Sequence, residues 1–96
     1  MLERDIERHV CDYAKSKGVY VRKFVSPNHS GVPDRIFCFA GRVLFVEFKA
    51  PGKKPTLLQD LEIKVLVKAG MKVRVCDDKV AGRLLIDALV GGAADA

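Results

Sequence analysis

Asp34, Glu47 and Lys49 are the residues of this chain whose types and spacing could do chemistry. Glu47 and Lys49 stand two apart at the end of an apolar run, so on a strand their side chains leave the same face about 7 Å apart. Asp34 follows Pro33 at the head of the preceding apolar run, and a hairpin places the start of one strand opposite the end of the next. Two carboxylates meeting there repel each other, and a divalent cation lets both stay ionised. Ligation by oxygen alone suits Mg²⁺ or Mn²⁺ far better than Zn²⁺, and the Phe48 carbonyl could add another oxygen. Taken one at a time the same residues have plainer readings: Asp34 caps a turn, and Glu47 with Lys49 forms a salt bridge.

The elements that must position them follow from periodicity. Residues 2–17 carry Leu2, Ile6, Val10 (or Cys11), Tyr13 and Ala14 every three to four positions, which predicts an amphipathic helix ended by Gly18. Residues 19–25 put Val19, Val21 and Val25 on one parity, a first strand with one buried face. The polar, turn-forming stretch 26–31 reads as an exposed, mobile loop available to a ligand. Residues 36–40 and 43–48 read as strands joined by a tight turn at Gly41-Arg42. The second of these, with its run Val43-Leu44-Phe45-Val46, reads as a central strand, which makes charge at its end unusual.

Beyond the prolines and lysines of residues 50–55, Thr56 is placed to cap a second helix over residues 56–69, rich enough in Leu, Ile and Val to read as largely buried. Residues 71–76 give a fourth strand, and Asp77-Asp78 starts a third helix over 79–90 with Leu84, Leu85, Ala88 and Leu89 as its apolar face. Residues 1–90 then form one α/β domain, helix, three strands, helix, strand, helix, with a mixed sheet; the tail 91–96 is patternless and expected to fray.

Composition narrows the function class. With 17 Lys and Arg against 12 Asp and Glu, the formal charge of +5 favours a polyanionic partner without requiring one. The three cysteines, Cys11, Cys38 and Cys76, stand far apart in apolar segments and show no zinc or disulfide spacing, so they read as reduced core residues. With no signal-peptide pattern and no apolar run near 18 residues, the expectation is a soluble, cytoplasmic protein with no membrane partner. At 96 residues a lone subunit is marginal, and dimerisation is a common remedy.

The set as a whole resembles the PD-(D/E)xK nuclease superfamily, and within it the VRR-NUC domain, along almost the full chain. The residues that carry the resemblance are Gly31-Val32-Pro33-Asp34-Arg35, then Phe45-Val46-Glu47-Phe48-Lys49-Ala50, then residues 52–55 and 56–59, in both type and spacing. It implies a restriction-endonuclease-like α-β-β-β-α-β-α fold and metal-dependent hydrolysis of a phosphodiester. Asp34 and Glu47 would be the metal ligands, with the Phe48 carbonyl, and Lys49 would orient or activate the attacking water. Members usually carry a further acidic residue on the first helix. Glu7, in a Glu-Arg-x-Val pattern similar to that of archaeal-type Holliday junction resolvases, is preferred to Glu3 for that role and would join Asp34 and Glu47 as a metal ligand. Gln59 resembles the family glutamine that supports the site beside Lys49.

Lys53, Lys54, Lys23, Arg22, His29 and Arg35 would flank the site and touch backbone phosphates, whereas His9 and His29 lack the partners of a metal ligand. With no separate recognition domain, shape-selective cutting of branched DNA by a homodimer is the leading expectation, similar to stand-alone VRR-NUC proteins that resolve four-way junctions. The alternatives are a monomeric nickase or flap nuclease module, and a non-catalytic DNA-binding domain.

Overall fold

The computed structural model describes residues 1–92. The elements run α1 (Glu3–Ser16), β1 (Tyr20–Lys23), β2 (Arg35–Phe39), β3 (Arg42–Phe48), α2 (Leu57–Lys68), β4 (Lys72–Cys76) and α3 (Lys79–Gly91). This is the expected α-β-β-β-α-β-α order. The strands lie in the sheet as β1-β2-β3-β4, antiparallel except for the parallel β3–β4 pair that the α2 crossover makes possible.

Helices α1 and α3 pack together and close one face of the sheet. Ile6, Val10, Cys11 and Ala14 from α1 meet Val21, Phe37, Leu44, Val46, Phe48 and Cys76 from the strands, with Ile86 and Leu89 from α3. The crossing of the two helices is set at Gly82, where any Cβ would collide with Val10 Cγ2. Cys11 and Cys76 are buried thiols, as the sequence suggested, and burial pushes both up from the ordinary thiol range, whereas Cys38, also read as a core residue, is only half-buried on β2. Caps fall where the sequence put them. Thr56 Oγ1 accepts the Gln59 N–H, and Asp78 Oδ2 accepts the Ala81 N–H at the start of α3.

Several expectations are corrected. The hairpin turn is Ala40-Gly41, both at positive φ (50° and 80°), because Phe39 pairs with Arg42 and leaves a two-residue loop that needs the left-handed region twice. Strand β1 stops at Lys23, so Val25 lies in the loop and is exposed. Leu84 is exposed too, since α3 buries Gly82, Ile86 and Leu89, a stripe rotated from the expected one.

The largest departure is α2, which has no buried residue. Its half-buried residues are Gln59, Asp60, Glu62, Ile63 and Leu66, while Leu57, Leu58, Leu61, Val65 and Val67 are exposed, 74, 59, 50, 61 and 53 %. A helix apolar on two sides meets the sheet with only one of them. At the C-terminus α3 runs one residue past the expected end and Gly92 caps it in the left-handed conformation (φ 77°); the rest of the predicted frayed tail, residues 93–96, lies outside the described residues.

Candidate active site

Asp34 reaches the end of β3 because the segment before it is held on both sides. Gly31 has φ of 89°, and a Cβ there would stand 2.7 Å from the Leu58 carbonyl oxygen, so only glycine lets the loop lie against the first turn of α2. Pro33 is buried, and the Asp34 carbonyl accepts the Phe24 N–H at 3.0 Å. Arg35 pairs with Val46, which sets Asp34 beside Glu47. The Asp34 carboxylate then accepts the Phe48 N–H at 2.8 Å, a side-chain rung that bridges the two strands past their last paired residues. Burial pushes this carboxyl up from its ordinary range; the Phe48 N–H opposes that, the Glu7 charge adds to it, and Lys49 and Arg35 lower it.

Among the described residues Glu47 is the one charged residue of the core, 2 % exposed. Its Oε2 lies 3.4 Å from Lys49 Nζ. Its Oε1 is buried with no hydrogen-bond partner. Burial, with the Asp34 charge second, drives its pKa up to about 7, against the pull of Lys49; the charge of Glu3 adds a further push. Lys49 is fixed by its backbone, whose N–H donates to the Cys76 carbonyl at 2.9 Å and carries the β3–β4 ladder one rung further. The site is thus two neighbouring carboxylates, both reluctant to ionise, and one amine. Among the described residues no group of three or more His, Cys, Asp or Glu side chains is arranged to hold a metal ion, so a cation here would rest on this pair and on carbonyl oxygens.

No family model matches the chain. Among curated proteins it is similar to "Putative nuclease p44" of Acyrthosiphon pisum secondary endosymbiont phage 1, 40 % identical over 84 residues that cover 86 % of this chain and 90 % of the relative. Among solved structures it is similar to one described as a VRR_NUC domain, with a TM-score of 0.82 and 28 % identity over 88 % of this chain and 94 % of that one. This chain belongs to the VRR-NUC nuclease family.

Other residues singled out in the sequence of this VRR-NUC chain sit at graded distances from the carboxylate pair. Glu7, on α1, receives a hydrogen bond from Arg35 Nε at 2.7 Å, so the two residues lock the helix to the strand that starts at Asp34. Glu3, one turn earlier and exposed, is the α1 carboxylate whose charge is felt at Glu47, whereas that of Glu7 is felt at Asp34. Gln59 is spent locally: its Oε1 accepts the Thr56 N–H at 2.9 Å in a capping box. Arg22 donates to the Val21 carbonyl and stacks on Tyr20, 4.1 Å from the ring centre. Lys23, Lys53 and Lys54 are exposed.

His29 Nε2 lies 2.6 Å from Glu62 Oε1, tying the 26–31 loop to α2. That loop is exposed as expected at residues 27–30, but the His29–Glu62 contact and the Gly31 close approach anchor it. Sequence reasoning missed the Arg35–Glu7 and His29–Glu62 pairs, whose members stand 28 and 33 residues apart with no local pattern to join them. No helix among the described residues is long and apolar enough to cross a membrane.

Proposed function

We propose that residues 1–90 act as one nuclease domain, a divalent-metal-dependent endonuclease that hydrolyses phosphodiesters of branched DNA and resolves four-way junctions as a homodimer. The observation that carries this reading is Glu47 Oε1, a carboxylate oxygen buried without a partner beside a second carboxylate. Buried polar atoms are nearly always satisfied, and a buried charge without compensation is costly. The donors present fit a hard cation: Asp34 and Glu47 would hold it, with the Phe48 carbonyl, and Mg²⁺ or Mn²⁺ suits a set made of oxygen. When bound, such an ion supplies Lewis-acid polarisation of the scissile phosphate and a lower pKa for the attacking water.

The chain's own groups do the rest. Lys49, held against Glu47, orients the attacking water and balances the charge that builds on the phosphoryl oxygens in the transition state. Glu7 serves as the α1 acidic residue, adding charge beside Asp34 while it fixes Arg35. Gln59 supports the site from the capped start of α2, which abuts the loop that delivers Asp34. Lys53, Lys54, Lys23, Arg22, Arg35 and His29 bind backbone phosphates without reading bases, which suits selection by shape.

The test is cleavage of four-way junction, flap, nicked and linear duplex substrates with Mg²⁺, with Mn²⁺ and with chelator, by the wild type and by Glu47→Ala, Asp34→Ala and Lys49→Ala. Paired cuts in the junction that need the metal and vanish in all three variants are expected. Cleavage that persists in the Asp34→Ala or Lys49→Ala protein would refute the assigned site. Metal-dependent cutting confined to flaps or nicks would replace the resolvase with a monomeric nuclease module, and no cutting with no metal binding would leave a DNA-binding domain.

A further inference from the structure

We propose that Asp77 is a positioning residue for DNA: it holds the turn that leads to Lys53 and Lys54 in the place from which those lysines meet the phosphate backbone. The inference rests on the phosphate-binding role given to the two lysines in the proposed function, and adds to it the residue that aims them.

The turn follows the site directly. Ala50-Pro51-Gly52-Lys53 starts next to Lys49 and is closed by the Lys53 N–H, which donates to the Ala50 carbonyl at 3.0 Å. Proline in its second position and glycine at φ of 78° in its third make it a type II turn. Residues 51–54 are exposed and nothing stands within 4 Å of a Cβ built at Gly52, so hydrogen bonds and not packing hold the turn. Across positions 51–53, Pro51 has no N–H and Lys53 spends its own inside the turn, which leaves that of Gly52 to donate outward. The half-buried Asp77 accepts it through Oδ2 at 3.0 Å.

Asp77 itself stands on a firm base. On one side Cys76 ends β4 and its carbonyl accepts the Lys49 N–H at 2.9 Å. On the other side Asp78 Oδ2 accepts the Ala81 N–H and caps α3, so the helix leaves Asp77 free to reach 25 residues back along the chain. The end of β4 therefore grips the chain at two points, Lys49 through a carbonyl and Gly52 through a carboxylate. With both held, Lys49 beside Glu47 and the two lysines past the turn share one frame. With the second released, the turn can pivot about Lys49, and DNA must supply the cost of ordering it.

The sign of the effect separates positioning from charge. A carboxylate this close to a phosphate-binding loop works against a polyanion, so charge alone predicts that any loss of Asp77 tightens DNA binding. Positioning predicts the reverse for Asp77→Ala, and no loss for Asp77→Asn, which drops the charge but keeps an acceptor oxygen for the Gly52 N–H.

The experiment reads the clamp and its consequence separately. Amide hydrogen exchange by NMR reports Gly52, and affinity for a four-way junction and a linear duplex is measured in chelator from low to high salt. The proteins are the wild type, Asp77→Ala, Asp77→Asn, a Lys53→Ala/Lys54→Ala variant, and that variant with Asp77→Ala added. Asp77→Ala is expected to speed exchange at Gly52 and to weaken binding by roughly tenfold. Its salt slope should fall by up to about 2, since each phosphate contact contributes about 0.9. Asp77→Asn should keep both the protection and the affinity, and Asp77→Ala should add nothing once the two lysines are gone. Unchanged exchange at Gly52 in Asp77→Ala overturns the clamp. Binding that is unchanged or tighter in Asp77→Ala, or that does not follow Gly52 protection across the variants, overturns the positioning role. A Lys53→Ala/Lys54→Ala protein that binds as tightly as the wild type overturns the phosphate reading beneath it, and the positioning role with it, even where Gly52 stays protected.

Discussion

Replacing Glu47 with glutamine should make the metal-free protein more stable at alkaline pH while ending its function. The native carboxyl titrates near 7, against 4.5 for the free group. Between those values the unfolded chain has released the proton and the native state still holds it, so the native state binds more protons and unfolding grows easier as pH rises. The loss starts above about pH 4.5 and is complete above about pH 7. Its full size is roughly 3 kcal/mol, and the raised carboxyl of Asp34 acts with the same sign.

Glu47→Gln removes this titration and relieves Asp34 of a neighbouring charge. Against it stands Lys49, which exchanges an ionic partner at 3.4 Å for an amide oxygen, a loss of about 1 kcal/mol. The net gain at pH 8 is then about 1–2 kcal/mol, which in a domain of this size raises the unfolding midpoint by roughly 5–10 °C. At pH 5 wild type and variant should unfold close together. Manganese should restore the wild type at pH 8 by about 2.7 kcal/mol at a hundred times its dissociation constant, and should do nothing for the variant. Thermal unfolding followed by circular dichroism at pH 5 to 8.5, with chelator and with Mn²⁺, reads all of this. Metal-free wild type that gains stability from pH 5 to 7.5, or a variant that unfolds earlier at pH 8, would refute the reasoning.

Lys49→Ala should leave the fold intact and, if Lys49 acts as proposed on transition-state charge, lower metal-dependent cleavage by at least about 100-fold; single-turnover cleavage at saturating Mn²⁺ checks it, and a rate within threefold of wild type would remove Lys49 from the chemistry. Gly31→Ala forces both a positive φ and a 2.7 Å approach to the Leu58 carbonyl, so it should cost about 1–3 kcal/mol in chemical denaturation and weaken cleavage by displacing Asp34. Glu3→Gln and Glu7→Gln should differ: the first lowers the pKa of Glu47 with little effect on stability, while the second strands Arg35 and costs about 1–3 kcal/mol. Carboxyl titration by NMR and urea unfolding separate the two, and identical behaviour would contradict the distinct places of Glu3 and Glu7 beside the pair.

Local pattern carried a great deal of this fold, and where it failed the reason is physical. Thr56 and Gln59 announce the start of α2 because a hydroxyl and a carboxamide three residues apart satisfy two free N–H groups within one turn. Strand parity sent Glu47 and Lys49 to one face because side-chain direction on a strand depends on nothing distant. The hairpin was misjudged by one residue because Gly41 suits either turn; the choice falls to the pairing of Phe39 with Arg42, and that register costs Ala40 a φ of 50°. Arg35 with Glu7 and His29 with Glu62 lay beyond reach, since each depends on how far a helix is rotated against the sheet.

Two breaches of ordinary burial stand out, and the sequence announced only one of them. Glu47 was conspicuous because a carboxylate inside a run of Val, Leu and Phe contradicts its neighbours, and it is 2 % exposed. The stripe of Leu57, Leu58, Leu61 and Val65 was inconspicuous for the opposite reason: apolar residues on a helix agree with burial, so α2 was read as covered. Whether they are covered depends on how much sheet lies beneath, and α2 rests on the sheet with the side that carries Ile63 and Leu66. A polar residue in an apolar run is therefore a question the sequence itself poses. An apolar residue in solvent is posed only by the fold.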